Sequence, residues 1–110
     1  MNTATASIPV RITFRHMDAS AAVEARIQEL TERLARFAGR ILDCHVTIDG
    51  PAAHKKKGAP FQVRIDVFGK QGHLTAVKGN GDHPGHQDIH VALRDAFDAI
   101  KRQLEAATKD

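Results

Sequence analysis

The clearest structural signal in this chain is the stretch FQVRIDVF at residues 61–68. Its apolar side chains occupy every second position: Phe61, Val63, Ile65 and Val67. Because successive side chains of a strand point to opposite faces, this alternation predicts a strand with one apolar face. The turn-forming residues 69–72 (GKQG) follow and lead into a weaker strand at residues 73–78. The two strands are close enough along the chain to pair as an antiparallel hairpin.

Two further strands are predicted on the N-terminal side of this hairpin. In the first, at residues 8–14, one face carries Ile8, Val10, Ile12 and Phe14. Pro9 cannot donate a ladder hydrogen bond, so it belongs at the start of the strand or on a free edge. In the second, Cys44, Val46 and Ile48 face one way, whereas His45, Thr47 and Asp49 face the other.

Two amphipathic helices complete the pattern. The first follows the candidate N-caps Asp18 and Ser20 and is expected to end at Gly39 as a C-cap. Its apolar side chains recur at helical spacing, at Val23, Ile27, Leu30, Leu34 and Phe37. The second helix is expected from about Gln87, with the stripe Ile89, Leu93, Ala96, Phe97, Ile100 and Leu104.

The element order β-α-β-β-β-α predicts an α+β fold, a two-layer sandwich with both helices packed on one face of a four-stranded mixed sheet. The first connection should join parallel strands, and the later ones antiparallel strands. The opposite sheet face is polar and is expected to be left to solvent; it carries Arg11, Thr13, His45, Thr47, Gln62, Arg64, Asp66 and Thr75. Residues 1–7 are expected to be a flexible extension, and residues 8–107 a single domain.

Composition excludes several classes of protein. Sixteen Lys and Arg oppose thirteen Asp and Glu among 110 residues, a formal net charge of +3. No apolar run approaches the roughly 20 residues that span a bilayer, and residues 1–7 lack the pattern of a secretory signal. A lone cysteine, Cys44, excludes a disulfide framework, so the expected compartment is the reducing cytoplasm.

The arrangement of the basic residues favours a polyanionic partner. On a helical wheel Arg26, Arg33, Arg36 and Arg40 share one sector of the first helix, where Glu29 and Glu32 should neutralise part of the charge through i,i+4 pairs. In the second helix His90, Arg94 and Lys101 line one flank of the apolar stripe. The residues Lys55, Lys56 and Lys57 are expected at a loop tip, where they can follow a phosphate backbone. The absence of Trp and Tyr argues against base stacking and favours recognition of structured RNA by shape and phosphate.

Several segments resemble one known family. They are residues 12–18 (ITFRHMD), 22–27 (AVEARI), 88–98 (DIHVALRDAFD) and 101–104 (KRQL). In their order and spacing these segments are similar to the short form of the ribosome hibernation promoting factors. That family includes the ribosome-associated inhibitor, and many members are called sigma-factor modulation proteins. The resemblance covers residues 8–104 in the same β-α-β-β-β-α order.

The resemblance implies that the protein acts by binding and catalyses no reaction. Members bind the small ribosomal subunit between head and body, contact ribosomal RNA where messenger and transfer RNA would sit, and hold the ribosome idle. Carried onto this chain, the expected RNA contacts are the basic helix edges together with Arg15 and Lys55 to Lys57. The resemblance implies no cofactor, no small-molecule substrate and no membrane. It leaves open the oligomeric state and whether single ribosomes are silenced or pairs formed.

Phe14 departs from the family pattern, in which Gly often stands at this position, and the Gly- and His-rich loop at residues 79–86 has no assigned role.

Three alternatives remain open from the residues alone. His83, His86 and His90 are spaced three and four apart, as ligands of a metal such as zinc can be. Asp49 and Asp66 lie on strands predicted to pair and could serve as opposed carboxylates, although pairing with Arg64 and His45 is the simpler interpretation. A protein-interaction module that modulates a transcription factor would need an exposed apolar patch, for which Phe68 and Val77 are candidates.

Overall fold

The computed structural model describes residues 8–50, 61–79 and 88–107 of the protein. The elements follow the predicted order: β1 (Val10–Arg15), α1 (Ala21–Glu32), a 3-10 helix (Ala35–Arg40), β2 (Ile41–Asp49), β3 (Gln62–Gly69), β4 (Gly72–Lys78) and α2 (Ile89–Ala107). The predicted loop lysines at residues 55–57 and the N-terminal extension at residues 1–7 lie outside the described residues.

Within these residues the strands form one mixed sheet in the order β1-β2-β3-β4. β1 pairs with β2 in parallel, and the other two pairings are antiparallel. Pro9 precedes β1, and its carbonyl accepts a hydrogen bond from the Cys44 N–H at 3.0 Å. The α+β fold and the topology predicted from the sequence are confirmed.

Both helices pack on one face of the sheet, where the predicted apolar side chains form the core. α1 contacts β1 and α2, while α2 lies over β3 and β4. The core is built mainly from aliphatic side chains, and fully buried examples include Ile27, Val46, Ile48, Val63, Ile65, Leu93 and Ile100. Within the described part of the chain no helix is long and apolar enough to cross a membrane.

The first helix ends earlier than its periodicity predicts. Ser20 is the N-cap, and its hydroxyl accepts the Val23 N–H at 3.2 Å, but α1 ends at Glu32 rather than at Gly39. Beyond that point the Leu34 N–H donates to the Thr31 carbonyl and the Phe37 N–H to the Leu34 carbonyl, which is 3-10 bonding. Residues three apart eclipse one another in a 3-10 helix. Thr31, Leu34 and Phe37 therefore all stay buried although the α-helix has stopped.

Candidate nucleic-acid interface

The two helices leave a cleft between them on the surface of the helical layer. It is lined by Leu30, Arg33, Leu34, Phe97, Asp98 and Lys101. The cleft joins the C-terminal end of α1 to the middle of α2, and Arg36 contacts Glu105 further along, so the two helices run in the same direction. Leu34 and Phe97 are almost fully buried and form its apolar floor.

Arg33 and Lys101 come together in this cleft, although 68 positions separate them in the sequence. Arg33 is the C-cap residue of α1, so its position depends on where that helix ends. Lys101 lies on α2 and lines the cleft. Of the flank predicted from the sequence, it is the residue that lines the cleft, whereas His90 and Arg94 do not line it.

Three other arginines of the helical layer, Arg26, Arg36 and Arg94, are paired with acids. Arg26 Nη1 lies 3.2 Å from Glu29 Oε1, and Arg94 Nη2 lies 3.2 Å from Asp95 Oδ1. The Arg36 guanidinium lies over the ring of Phe37, 4.7 Å from its centroid, and pairs with Glu105 of α2. The i,i+4 pairs expected within the first helix are absent from the described contacts, because α1 ends at Glu32 and the later arginines leave the helical register.

Three predicted cations form no ion pair within the described residues: Arg33, Arg40 and Lys101. Arg33 and Lys101 share the cleft with Asp98, a carboxylate not predicted to lie there from the sequence. Arg40 lies at the end of the 3-10 helix, where its carbonyl accepts the Lys70 N–H at 3.0 Å, and it does not line the cleft. The common wheel sector predicted for the four arginines at positions 26, 33, 36 and 40 assumed one continuous α-helix, and it is wrong for Arg36 and Arg40, which lie in the 3-10 helix beyond the end of α1.

Arg15 lies on the other side of the molecule from the cleft. It follows the outward-facing positions of β1, and its Nε lies 3.4 Å from Asp49 Oδ1 on β2. His16 Nδ1 lies 3.3 Å from the same carboxylate oxygen. Since the helices cover the opposite sheet face, Arg15 and the cleft residues cannot contact one flat surface together.

The histidines proposed as metal ligands are only partly described. His90 is exposed in the first turn of α2, where its N–H donates to Asp88 Oδ1 at 2.9 Å, which caps the helix start. His83 and His86 lie outside the described residues. Within residues 8–50, 61–79 and 88–107 no group of three or more His, Cys, Asp or Glu side chains is arranged to hold a metal ion.

The outer sheet face is polar as predicted, but one carboxylate on it is buried. Asp66 is 8% exposed and accepts hydrogen bonds from Arg64 Nε at 3.0 Å and from Thr75 Oγ1 at 2.9 Å, while His73 Nε2 lies 2.7 Å away. Burial by itself would raise the pKa of Asp66, but the hydrogen bonds from these three residues outweigh it and lower the pKa to about 2. The pairing with Arg64 expected from the sequence is confirmed.

No opposed pair of carboxylates exists at the positions considered from the sequence. Asp66 is the register partner of His45, and Asp49 that of Gln62.

Cys44 is buried, and desolvation raises the pKa of its thiol to about 12, so it is a packing residue rather than a nucleophile. Phe68 and Val77 are partly exposed at 39% and 40%, as expected, and Leu42 is more exposed, at 73%.

Acid should destabilise the protein partly through Asp66. Because its folded-state pKa lies below the ordinary value of 3.8, its contribution is complete above about pH 4 and is lost as the pH falls toward 2. The shift corresponds to about 2 kcal/mol. Urea unfolding at several pH values should show the wild type losing about that much more stability than Asp66→Asn over this range. Asp43→Asn, at the more exposed Arg11–Asp43 pair, should change the acid dependence less; an equal effect of both variants would contradict the assignment.

Comparisons with known proteins agree with this fold. The family model described as sigma 54 modulation protein / S30EA ribosomal protein matches residues 10–109. The N-terminal domain of Protein Y from Thermus thermophilus is similar, with 16% sequence identity and a TM-score of 0.67 over 91% of this chain and 97% of that one. A ribosomal subunit interface protein from Coxiella burnetii has 13% identity and a TM-score of 0.68 over 90% and 96% of the respective chains. No curated protein matches the chain significantly. The family resemblance read from residues 12–18, 22–27, 88–98 and 101–104 is confirmed.

Proposed function

The chain belongs to the sigma 54 modulation protein / S30EA ribosomal protein family, and from that membership we propose that it is a ribosome-associated translation inhibitor of the cytoplasm. In this proposal it binds structured ribosomal RNA of the small subunit, occludes the channel for messenger and transfer RNA, and keeps the ribosome idle. The observation that supports the RNA contact is that two cations, Arg33 and Lys101, line the same cleft between α1 and α2.

The cleft suits a phosphate group for two reasons. Arg33 and Lys101 approach it from different helices and form no ion pair among the described residues, so neither must give up a protein partner to bind an anion. A guanidinium donates two parallel hydrogen bonds, whereas an ammonium acts as a point charge. Together they fit a phosphate that enters along the helical layer.

The paired arginines can extend this contact along the helices. Arg26, Arg36 and Arg94 each pair with a carboxylate, and at least one side chain of every pair is exposed; ion pairs that are open to solvent contribute little net free energy. Exchange of a carboxylate for an RNA phosphate is therefore cheap. The nearby acids Glu29, Asp95, Asp98 and Glu105 moderate the positive field, which favours phosphates at the correct positions over any polyanion.

Inhibition in this proposal needs only occupancy. The buried thiol of Cys44 is held neutral, and Asp66 is held in its network with Arg64 and His73, so neither group is arranged for catalysis. The predicted contacts at Arg15, Arg40 and His90 remain candidates for RNA outside the cleft. Lys55 to Lys57 remain predicted RNA contacts that lie outside the described residues. Because Arg15 faces away from the helical layer, it would contact a different part of the ribosome from the part that the cleft contacts.

Co-sedimentation with purified ribosomes across a salt series tests the proposal. Wild-type binding should weaken as salt rises, because phosphate contacts release counterions. The variant Arg33→Glu/Lys101→Glu should bind at least about tenfold more weakly at moderate salt, with a shallower salt dependence. Footprinting of the ribosomal RNA with the bound wild type should then locate the protected site on the small subunit.

The matched control is Lys70→Glu/Arg102→Glu. It makes the same change in net charge at an exposed turn and on a part of α2 away from the cleft. Both double variants should keep the wild-type melting curve, since all four side chains are exposed. Equal loss of binding in the two variants would show that net charge, not the cleft, drives association. Absence of wild-type binding at low salt would refute the function and favour the protein-interaction alternative.

A further inference from the structure

β1 is an edge strand whose outer edge has no neighbour within the described residues. It pairs with β2 on one side and ends the sheet on the other. An edge of this kind presents a row of backbone N–H and C=O groups to which another strand can pair. Soluble proteins usually block such an edge with charged side chains, prolines, bulges or a covering segment.

The ladder between β1 and β2 determines which backbone groups remain free. The Cys44 N–H donates to the Pro9 carbonyl at 3.0 Å, and the Gly50 N–H donates to the Arg15 carbonyl at 2.8 Å. In a parallel ladder every second residue bonds to the neighbouring strand. The odd-numbered residues of β1 therefore bond to β2, and the N–H and C=O groups of Val10, Ile12 and Phe14 point to the free edge.

The side chains on the outer face of β1 leave that edge uncovered, because each of them is held over β2. Arg11 Nη2 lies 2.6 Å from Asp43 Oδ2, and Thr13 Oγ1 lies 2.9 Å from His45 Nε2. The contact of Arg15 with Asp49 has the same direction. Free charged side chains and internal prolines are the usual protection of an edge, and β1 has neither; Pro9 precedes the strand.

The inner face of β1 is also incompletely covered. Val10, Ile12 and Phe14 pack against the core but stay only partly buried, whereas the inward residues of the next strand, Val46 and Ile48, are fully buried. A strand added beside β1 would cover this apolar row. Pairing and burial would thus favour the same neighbour.

The opposite edge of the sheet differs. On β4 the Gln103 Nε2 of α2 donates to the Thr75 carbonyl at 2.8 Å, so a helix side chain occupies a backbone acceptor of that edge strand. Association through β4 would require this hydrogen bond to break. Of the two edges, β1 is the one prepared for pairing.

We infer that β1 pairs antiparallel with β1 of a second copy of the chain, which forms a dimer with a continuous sheet. A two-fold axis at Ile12 makes the strand complementary to itself. Val10 then lies opposite the second copy's Phe14, a small apolar side chain against a large one, and Arg11 lies opposite the second copy's Thr13, so that no like charges meet. The inference does not depend on ribosome binding.

Sedimentation velocity over a wide concentration range tests the dimer. The wild type should shift from monomer to dimer as concentration rises. Ile12→Pro removes an edge N–H in each copy without removing a bond to β2, and it should raise the dimer Kd at least about tenfold. Thermal melting monitored by circular dichroism shows whether this variant folds.

Cysteine cross-linking gives a second measurement that does not depend on the proline variant. Paired residues at a two-fold axis lie within the Cα separation that a disulfide spans, so Ile12→Cys should form a covalent dimer on mild oxidation. The native Cys44 is buried, and Leu74→Cys on β4 is the control, which should remain monomeric. A wild type that stays monomeric throughout, or a dimer that cross-links no better through position 12 than through position 74, would overturn the inference.

Discussion

Replacement of Phe97 by alanine is expected to lower the free energy of unfolding by about 3–5 kcal/mol, the range for a buried phenylalanine. The Phe97 side chain is 3% exposed and lies between α1 and α2, beside Leu30 and Leu34. Its removal takes apolar surface out of the core and leaves a cavity where the helices meet. Because domains of this size are stable by about 5–15 kcal/mol, the loss is a large fraction of the total.

The matched control is Phe68→Ala, which deletes the same side chain from the exposed outer sheet face. Phe68 stacks on His73 with ring centroids 4.5 Å apart, but it is 39% exposed, so the expected loss is about 1 kcal/mol. Urea denaturation of both variants gives the comparison. The Phe97 variant should also weaken ribosome binding, since Phe97 lines the same cleft as Arg33 and Lys101 and a cavity there would let the helices shift. Equal destabilisation by the two variants would contradict the position of Phe97 in the core.

Among the glycines at described positions, Gly79→Ala is expected to be the most disruptive substitution, with a loss of more than about 3 kcal/mol. Gly79 has a φ of +97°, which side-chain-bearing residues rarely adopt, and an added Cβ would lie 1.8 Å from the Phe61 carbonyl oxygen. That oxygen belongs to the backbone at the start of β3, so relief of the clash would displace the strand. The effect also assigns a structural role to the first residue of the Gly- and His-rich segment.

Two other glycines separate the causes of this loss. Gly72 has a φ of +92°, but nothing lies within 4 Å of an added Cβ, so Gly72→Ala should lose only the conformational part, about 1–2 kcal/mol. Gly39 has neither a positive φ nor a close neighbour, and Gly39→Ala should leave stability nearly unchanged. Thermal and urea unfolding should rank the variants in this order. A Gly79 variant as stable as the Gly72 variant would show that the close approach has no energetic consequence.

The strands and their faces could be predicted from short-range alternation. Val63, Ile65 and Val67 point inward and Arg64 points outward, as a period of two requires. The cap at Ser20 was also predictable, because its hydroxyl acts on an N–H only three residues away.

The candidate site was predicted less completely than the fold. The residues Arg26, Arg33, Arg94 and Lys101 were identified by type and by helical spacing. Of the acids near them, Glu29 was expected in an i,i+4 pair but contacts Arg26 instead, and Asp95, Asp98 and Glu105 were not predicted. Glu105 pairs with Arg36 across 69 positions, and Asp98 joins the cleft from the same flank as Lys101. Asp98 could have been found on the same helical wheel, whereas the Glu105 contact depends on how the two helices lie side by side.

The sequence by itself determined the element order, the inward faces and the cationic residue types on the two helices, because each follows from the period of side chains along one segment. Only the tertiary structure decided that α1 stops at Glu32, that Arg33 meets Lys101 and that Arg15 lies on the opposite face. The physical reason is that these outcomes depend on contacts between distant segments. A 3-10 helix has poorer hydrogen-bond geometry than an α-helix, and the burial of Leu34 and Phe37 in the core offsets that cost.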